Sequence, residues 1–325
     1  MHILDDALSH AISGDVETSY ELLKVVEEMP EAQFNLGWHE CRLGNLHKGL
    51  SMMIAGRYLN CFGSPPVKTD KQIWMPEEDL NGKKVLLSGE GGFGDHIINI
   101  RFAKNLKKLG AYVTASCHRS LMPLFRELDY VDALVEHAGE GWVDHDYWIP
   151  AMSAIVPLGL EYNDLDARPY IPKFYSERCD RFRVGIKLKG NPEFEHEQHR
   201  KFPAKHMLDL VDDRAEFISL DLEEVPGLKN IEMGDWLETA KLLCTLDLVI
   251  TSCTGIAHLA AAMGIRTWVV VPILPYYIWA LPDNTSPWYN SVKLYRQEEY
   301  GNWDAPFANI KKDLEEKLCN YTAKL

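Results

Sequence analysis

"VLLSGEGGFGDHIINIRFAKNLKKLG", residues 85–110, holds Gly89, Gly91 and Gly94 in the spacing G-x-G-x-x-G, after an apolar run and before a helical pattern. In nicotinamide enzymes such a bend offers loop N–H groups and a helix N-terminus to a pyrophosphate. Asp95, directly after the third glycine, opposes that reading. At the N-cap or in the first turn its carboxylate satisfies the helix end by itself and repels a diphosphate. A nicotinamide site also needs an acid about 20 positions on to hold the ribose. That place reads Ser116-Cys117-His118-Arg119, where only Arg119 suits a phosphate, so an NAD(P)-dependent oxidoreductase is the weaker reading. Gly91, Gly92 and Gly94, with His96 beside them, are read instead as a loop that leaves room for a bulky ligand. Two roles for Asp95 stay open. It caps its own helix, or it points into a cleft as a general base whose pKa is lifted by partial desolvation.

Outward from this bend, strands alternate with helices. "KKVLLSG", "AYVTASC", "VDALVEH" and "DHDYWIPAM" read as strands, with helices in "HIINIRFAKNLKKLG" and "SLMPLFREL". A second unit starts near Phe182, with strands "RVGIKLKG", "EFISLDL", "DLVITSC" and "RTWVVVP", helices "WLETAKLLCTL" and "GIAHLAAAMG", and a closing helix "FANIKKDLEEKLCN". The pattern predicts α/β architecture in two Rossmann-like lobes on mostly parallel sheets, with a ligand cleft at the carboxyl ends of both. Residues 1–63 read as helices only, divided at Gly14-Asp15, Pro30 and Gly44-Asn45. The expected division is a helical segment over 1–66, a front lobe on the acceptor side over 67–178, and a rear lobe on the nucleotide-sugar side over 179–325.

The 325-residue chain is 46% apolar and 25% charged, as in globular proteins. Its formal charge of −14 argues against a broad footprint for nucleic acid or anionic lipid. Seven cysteines without a C-x-x-C pair suggest neither a disulfide framework nor a zinc site. "MHILDDALSH" carries acids where a signal peptide needs basic residues, and no apolar run reaches the roughly 18–20 residues of a membrane span. A cytoplasmic location is the expectation.

The rear lobe repeats the strand–bend–helix plan in "LDLVITSCTGIAHLAAAMG", residues 246–264, without an acid at the bend. Thr251, Ser252, Thr254 and Gly255 supply hydroxyls and free N–H groups where a diphosphate would sit. His258, one turn on, either faces the same point or belongs to the core with Ile256, Leu259 and Ala260. "KLKGNPEFEHEQHRKFP" places Lys187, Lys189, Arg200 and Lys201 in a polar stretch that is either a solvated loop or a source of cations for a leaving diphosphate. Tyr276, Trp279, Trp288 and Tyr289 are candidates for stacking on a sugar or base, or for packing at the lobe junction.

"FNLGWHECRLG", "GEGGFGDHIINIRF", "VGIKLKGNP" with "HRKFP", "LDLVITSCTGIAHLAAAMG", and "SPWYNSVKLYRQ" followed by "GNW" occur in an order that carries a family resemblance. Residues 31–318 resemble bacterial tetratricopeptide-repeat proteins whose C-terminal part is similar to glycosyltransferase family 9, the ADP-heptose:lipopolysaccharide heptosyltransferases. More remotely they resemble the O-linked N-acetylglucosamine transferases. The resemblance implies a glycosyltransferase B fold that uses a nucleotide-diphosphate sugar without a metal or other cofactor. It implies Asp95 as catalytic base, donor contacts from Thr254, Gly255, His258 and Ser252, and charge compensation from Arg200 or Lys187. It also implies a closing helix, 305–320, that crosses back toward the first lobe. One position departs from the family, because heptosyltransferases carry Asp directly before the T-G pair and this chain has Cys253. Loss and retargeting of activity both stay open there. The acceptor is a glycan, a protein or a modified nucleic acid. The alternative from another class is a non-catalytic scaffold, with a protein partner on the helical segment and a vestigial transferase fold.

Overall fold

A computed structural model describes residues 2–176, 180–190 and 197–322. The chain opens with helices α1 (His2–Ile12), α2 (Val16–Val25), α3 (Pro30–Arg42) and α4 (Leu46–Met53), then a 3₁₀ turn, Ile54–Arg57. Gly14 and Gly44 have φ of 89° and 95°, the left-handed conformation that ends a helix and that glycine adopts without steric cost. Asp15 then caps α2 by accepting from the Thr18 N–H at 3.1 Å. The result is two helical hairpins, α1 with α2 and α3 with α4.

The front sheet follows as β1 (Lys84–Ser88), α5 (Phe93–Asn99), α6 (Phe102–Lys108), β2 (Tyr112–Cys117), α7 (Met122–Phe125), β3 (Ala133–Glu136), β4 (Tyr147–Pro150) and α8 (Ile155–Leu158). Its order is β3-β2-β1-β4, all parallel. The helix expected from one long pattern is interrupted between α5 and α6, where the Arg101 Nε turns back to donate to the Ile98 carbonyl at 3.0 Å. The connector before β1 is not a free linker. Val67, Trp74 and Leu80 are buried, and Ile73 pairs with Trp148 at the edge of β4.

The rear sheet comprises β5 (Phe182–Lys187), α9 (Glu197–Arg200), α10 (Ala204–Leu208), β6 (Ala215–Ser219), β7 (Lys229–Asn230), α11 (Trp236–Leu243), β8 (Leu248–Ser252), α12 (Gly255–Ala262), β9 (Thr267–Val271) and β10 (Val292–Arg296), closed by α13 (Asp304–Thr322). Its order is β10-β9-β8-β5-β6-β7, also parallel. β7 and β10 were not among the strands expected from the pattern. α13 corrects a further expectation: Phe307, Ile310, Leu314 and Leu318 pack with Phe182 and Val184 in the rear lobe's own core, so the helix does not cross to the first lobe.

In both sheets the first strand lies inside, with later strands on either side. That makes β1 and the β5–β8 pair switch points, where crevices open at strand carboxyl ends. One continuous core joins Leu46, Leu50 and Met53 of α4, the front lobe, and Trp279, Trp288 and Tyr289 of the rear lobe. The helices are therefore packed into the body of the molecule. No helix among the described residues is long and apolar enough to cross a membrane.

Candidate active site

The front bend leaves β1 and enters α5 at Phe93, and the rear bend leaves β8 and enters α12 at Gly255. The two bends meet. A methyl group at Gly94 would lie 3.0 Å from the His258 Cδ2 and 3.6 Å from the Gly255 Cα. A methyl at Gly255 would lie 2.8 Å from the Trp236 ring. Glycine at both positions is what lets the two helix starts approach backbone to backbone.

Asp95 caps its own helix and also faces the lobe junction. Its Oδ2 accepts from the Gly92 N–H at 2.8 Å, so it does cap α5 from the third position. Its Oδ1 accepts from the Tyr276 hydroxyl at 2.7 Å, across the lobe junction. The residue retains some exposed surface, but protein surrounds its carboxyl, and that burial raises the pKa. The negative charge of Glu90 adds to the rise, while the bonds from Tyr276 and Gly92 oppose it. Gly91 has φ of 68°, and a methyl group there would lie 2.6 Å from the Asp95 Oδ2, so this position admits only glycine. His96 turns away from the junction. It is buried, faces the His137 Nε2 at 3.1 Å, and burial lowers its pKa to about 3.

At the rear bend Thr254 is the N-cap of α12, and its Oγ1 lies 3.1 Å from the Thr251 Oγ1. Ser252 and Thr254 are buried. No carboxylate belongs to this bend. His258, however, is enclosed. Its ring stacks on Trp279 at 5.5 Å and 9°, its Nδ1 lies 3.3 Å from the Tyr289 hydroxyl, and its Nε2 lies 3.8 Å from the Cys253 Sγ. Burial, with help from Arg101 and Arg200, pushes its pKa down to about 3, so the ring is neutral. The core histidine reading describes it better than a diphosphate ligand. The Cys253 thiol accepts from the Trp279 Nε1 at 3.1 Å and burial raises its pKa.

Two cations expected over the cleft are already paired. The Lys187 Nζ bonds the Asp221 carboxylate at 2.9 Å, and that carboxylate also accepts from the Leu188 N–H. Arg200 bonds the Glu197 carboxylate and the Cys253 carbonyl, which puts its guanidinium at the rear bend. Residues 191–196 of the same polar stretch lie outside the described residues. Trp279, Trp288 and Tyr289 are wholly buried and pack at the junction, so stacking on a ligand falls to Tyr276 alone of the four.

Several site residues carried no sequence signal of their role. Glu90, between the first two glycines, is buried in an ion pair with Arg57 from the helical segment. It is a second acid at the front bend, five residues before Asp95. Arg101 lies buried between the rings of Tyr170, Tyr289 and Trp288, at 4.2, 4.8 and 5.4 Å, and donates to the Trp288 carbonyl at 2.9 Å. It ties α6 to the rear lobe by cation–π contact. Among the described residues no cluster of three or more His, Cys, Asp or Glu side chains is arranged to hold a metal ion.

No family model matches the chain. Among curated proteins it is 23% identical over 278 residues to Protein FlbA of Caulobacter vibrioides, a match that covers 72% of this chain and 46% of FlbA. The chain thus spans about half the length of that relative. Among solved structures it is similar to TibC, the iron-containing dodecameric glycosyltransferase of enterotoxigenic E. coli H10407, with TM-score 0.52 and 12% identity over 75% of this chain and 78% of that one. It is similar to a glycosyl transferase family 9 protein of Veillonella parvula DSM 2008, with TM-score 0.50 and 12% identity over 74% and 98%. It is also similar to the E. coli ADP-heptose lps heptosyltransferase II, with TM-score 0.50 and 13% identity over 73% and 99%. The two parallel sheets, with their facing bends, are therefore a glycosyltransferase-like Rossmann-type fold.

Proposed function

We propose that the protein transfers a sugar from a nucleotide-diphosphate sugar to an acceptor hydroxyl, with inversion at the anomeric carbon and without a metal. The observation that carries this reading is the asymmetry of the two bends: Asp95 and Glu90 at the front, no acid at the rear. The likeness in fold to family 9 glycosyltransferases supports it. In the reaction the acceptor oxygen attacks the anomeric carbon while Asp95 takes its proton. The bond from that carbon to the diphosphate oxygen breaks, and the departing charge is received by the N–H groups at the start of α12, with the Arg200 guanidinium alongside. A burial-raised carboxyl is a stronger base than an exposed one, which suits proton removal from a hydroxyl. Substrate entry requires the bends to separate, because Tyr276 occupies the Asp95 Oδ1 and Gly94 lies against the start of α12. Cys253, buried under Trp279 and without charge at neutral pH, leaves a sugar contact different from the one an aspartate would make.

Calorimetry with UDP, ADP and GDP, and transfer assays with a panel of nucleotide sugars, test the reading. Binding of one nucleoside diphosphate and turnover of the matching sugar are expected. Asp95→Asn is expected to lower kcat by about 10²–10⁴-fold with the nucleotide affinity nearly unchanged. No affinity for any nucleotide, or undiminished turnover in the variant, would contradict it.

A further inference from the structure

The Arg57–Glu90 pair connects the helical segment to the front bend in unusual detail. The Arg57 Nη1 bonds the Glu90 Oε1, and its Nη2 bonds the Glu90 Oε2 at 2.9 Å, a bidentate fork. The same Nη2 donates to the Ser153 hydroxyl at 2.7 Å. Glu90 accepts two further N–H groups, from Ser64 at 3.0 Å and from Met152 at 2.9 Å. The Gly91 N–H then donates to the Ser64 hydroxyl at 3.3 Å. Glu90 is 2% exposed, so its charge is compensated within this cluster or not at all. The cluster gathers the end of β1, the turn after β4, the last turn of the helical segment and the connector at one point, five residues before Asp95. Gly63, with φ of 77°, is pressed onto it: a methyl group there would lie 2.8 Å from the Glu90 Oε1.

We propose that Arg57 and Glu90 are a positioning pair that fixes the front bend so that Asp95 is held in place to take the acceptor proton. The inference rests on the glycosyl-transfer reading for its catalytic meaning, and it makes the helical segment part of the active site. Arg57 touches no reacting atom; it acts through Glu90, whose backbone begins the Gly91–Gly94 bend. Glu90 also acts on Asp95 through space, since its negative charge disfavours ionisation of the neighbouring carboxyl. The other groups facing Asp95 are the Gly92 N–H on its own bend and, from the rear lobe, Tyr276, Tyr277 and Cys253. None of these carries a formal charge at neutral pH; the Arg200–Glu197 pair at the rear bend is left intact in every variant, so Arg57 and Glu90 are the charged neighbours whose change moves Asp95.

The test compares Arg57→Gln, Glu90→Gln and Arg57→Lys with the full-length parent. Thermal melting and circular dichroism report the fold, transfer kinetics are followed against pH, and the Asp95 carboxyl is titrated by carbon-13 NMR, assigned with Asp95→Asn. Arg57→Gln leaves the Glu90 charge unmatched, so the Asp95 titration and the acidic limb of kcat are expected to move to higher pH. Glu90→Gln removes that charge and leaves Arg57 free, so both are expected to move to lower pH. A pair that merely holds the fold would damage both variants alike and would not shift them in opposite directions. Displacement of the bend is expected to lower kcat at least about tenfold in Arg57→Gln, with donor KM changed by less than about twofold. Arg57→Lys keeps the charge and loses the fork, so a smaller fall in kcat with an unmoved titration is expected. Should Arg57→Gln fail to fold, Arg57→Lys and Glu90→Gln decide. Parental kcat together with a parental Asp95 titration in folded variants overturns the proposal. If the parent transfers no sugar at all, the glycosyl-transfer reading has failed, and the NMR titrations alone then support or overturn the pair.

Discussion

In the proposed transfer, Asp95 is the residue that takes the acceptor proton. Its carboxyl is raised above the usual carboxylate range by burial, so at neutral pH its ionised form costs the fold free energy. The sign follows from that: the cost is absent well below the unfolded pKa and fully present above the folded one. Asp95→Asn removes it while keeping an oxygen that can accept from the Gly92 N–H, so the variant is expected to melt no lower than the parent at pH 7. A clear fall in Tm would show that the cap outweighs the burial. In the parent, kcat is expected to fall as pH drops through the raised pKa, and a kcat profile with no acidic limb above the pH at which the protein unfolds would contradict Asp95 as the base. That Asp95 caps α5 was legible in the sequence, because capping is a relation across three residues. Its bond to Tyr276 was not, because 181 positions separate the two and no local pattern links them.

Among elements, the alternation of strands and helices was legible wherever a strand is buried on both faces. β8 and β9 are buried throughout and read as continuous apolar runs. β10 lies at the sheet edge, with the exposed Lys293 and the half-buried Arg296 breaking its apolar pattern, and so it was missed. Where helices cross, glycine sets the distance. A methyl at Gly49 of α4 would lie 2.6 Å from the Gly37 carbonyl oxygen, and one at Gly37 would lie 2.6 Å from the Gly49 carbonyl oxygen. Gly49→Ala is therefore expected to destabilise by about 1–3 kcal/mol through overpacking, despite the better helix propensity of alanine. Chemical denaturation measures it, and a more stable variant would show that α3 and α4 can move apart at little cost. Gly94→Ala, which presses on His258 and on the start of α12, is expected to reduce transfer more than nucleotide binding. Equal losses in both would place the front bend in the nucleotide site.

For the whole molecule, acid is the sensitive direction. Burial lowers the pKa of His39 to about 4, and those of His96 and His258 to about 3, one in the helical segment and one in each lobe. A depressed histidine contributes stability that is complete above the unfolded pKa and is lost as pH falls below it. Each such histidine adds a dependence of about 1.4 kcal/mol per pH unit between about pH 6 and pH 4. Urea unfolding at pH 7 and pH 5 is expected to show a marked loss at the lower pH, and equal midpoints would mean these rings are not buried neutral. The two-lobed plan was legible from composition and alternation; the fusion of the helical segment into the same core was not, because Leu46 and Leu50 read as ordinary helix-packing residues whatever they pack against. In the proposed function, phosphate belongs to the acid-free bend and Asp95 keeps it from the other. A crystal structure with a bound nucleoside diphosphate measures this directly. Phosphate oxygens within hydrogen-bond distance of the N–H groups of Gly255 and Ile256 are expected; phosphates seated on Gly91, Gly92 and Gly94, with the start of α12 vacant, would contradict the assignment.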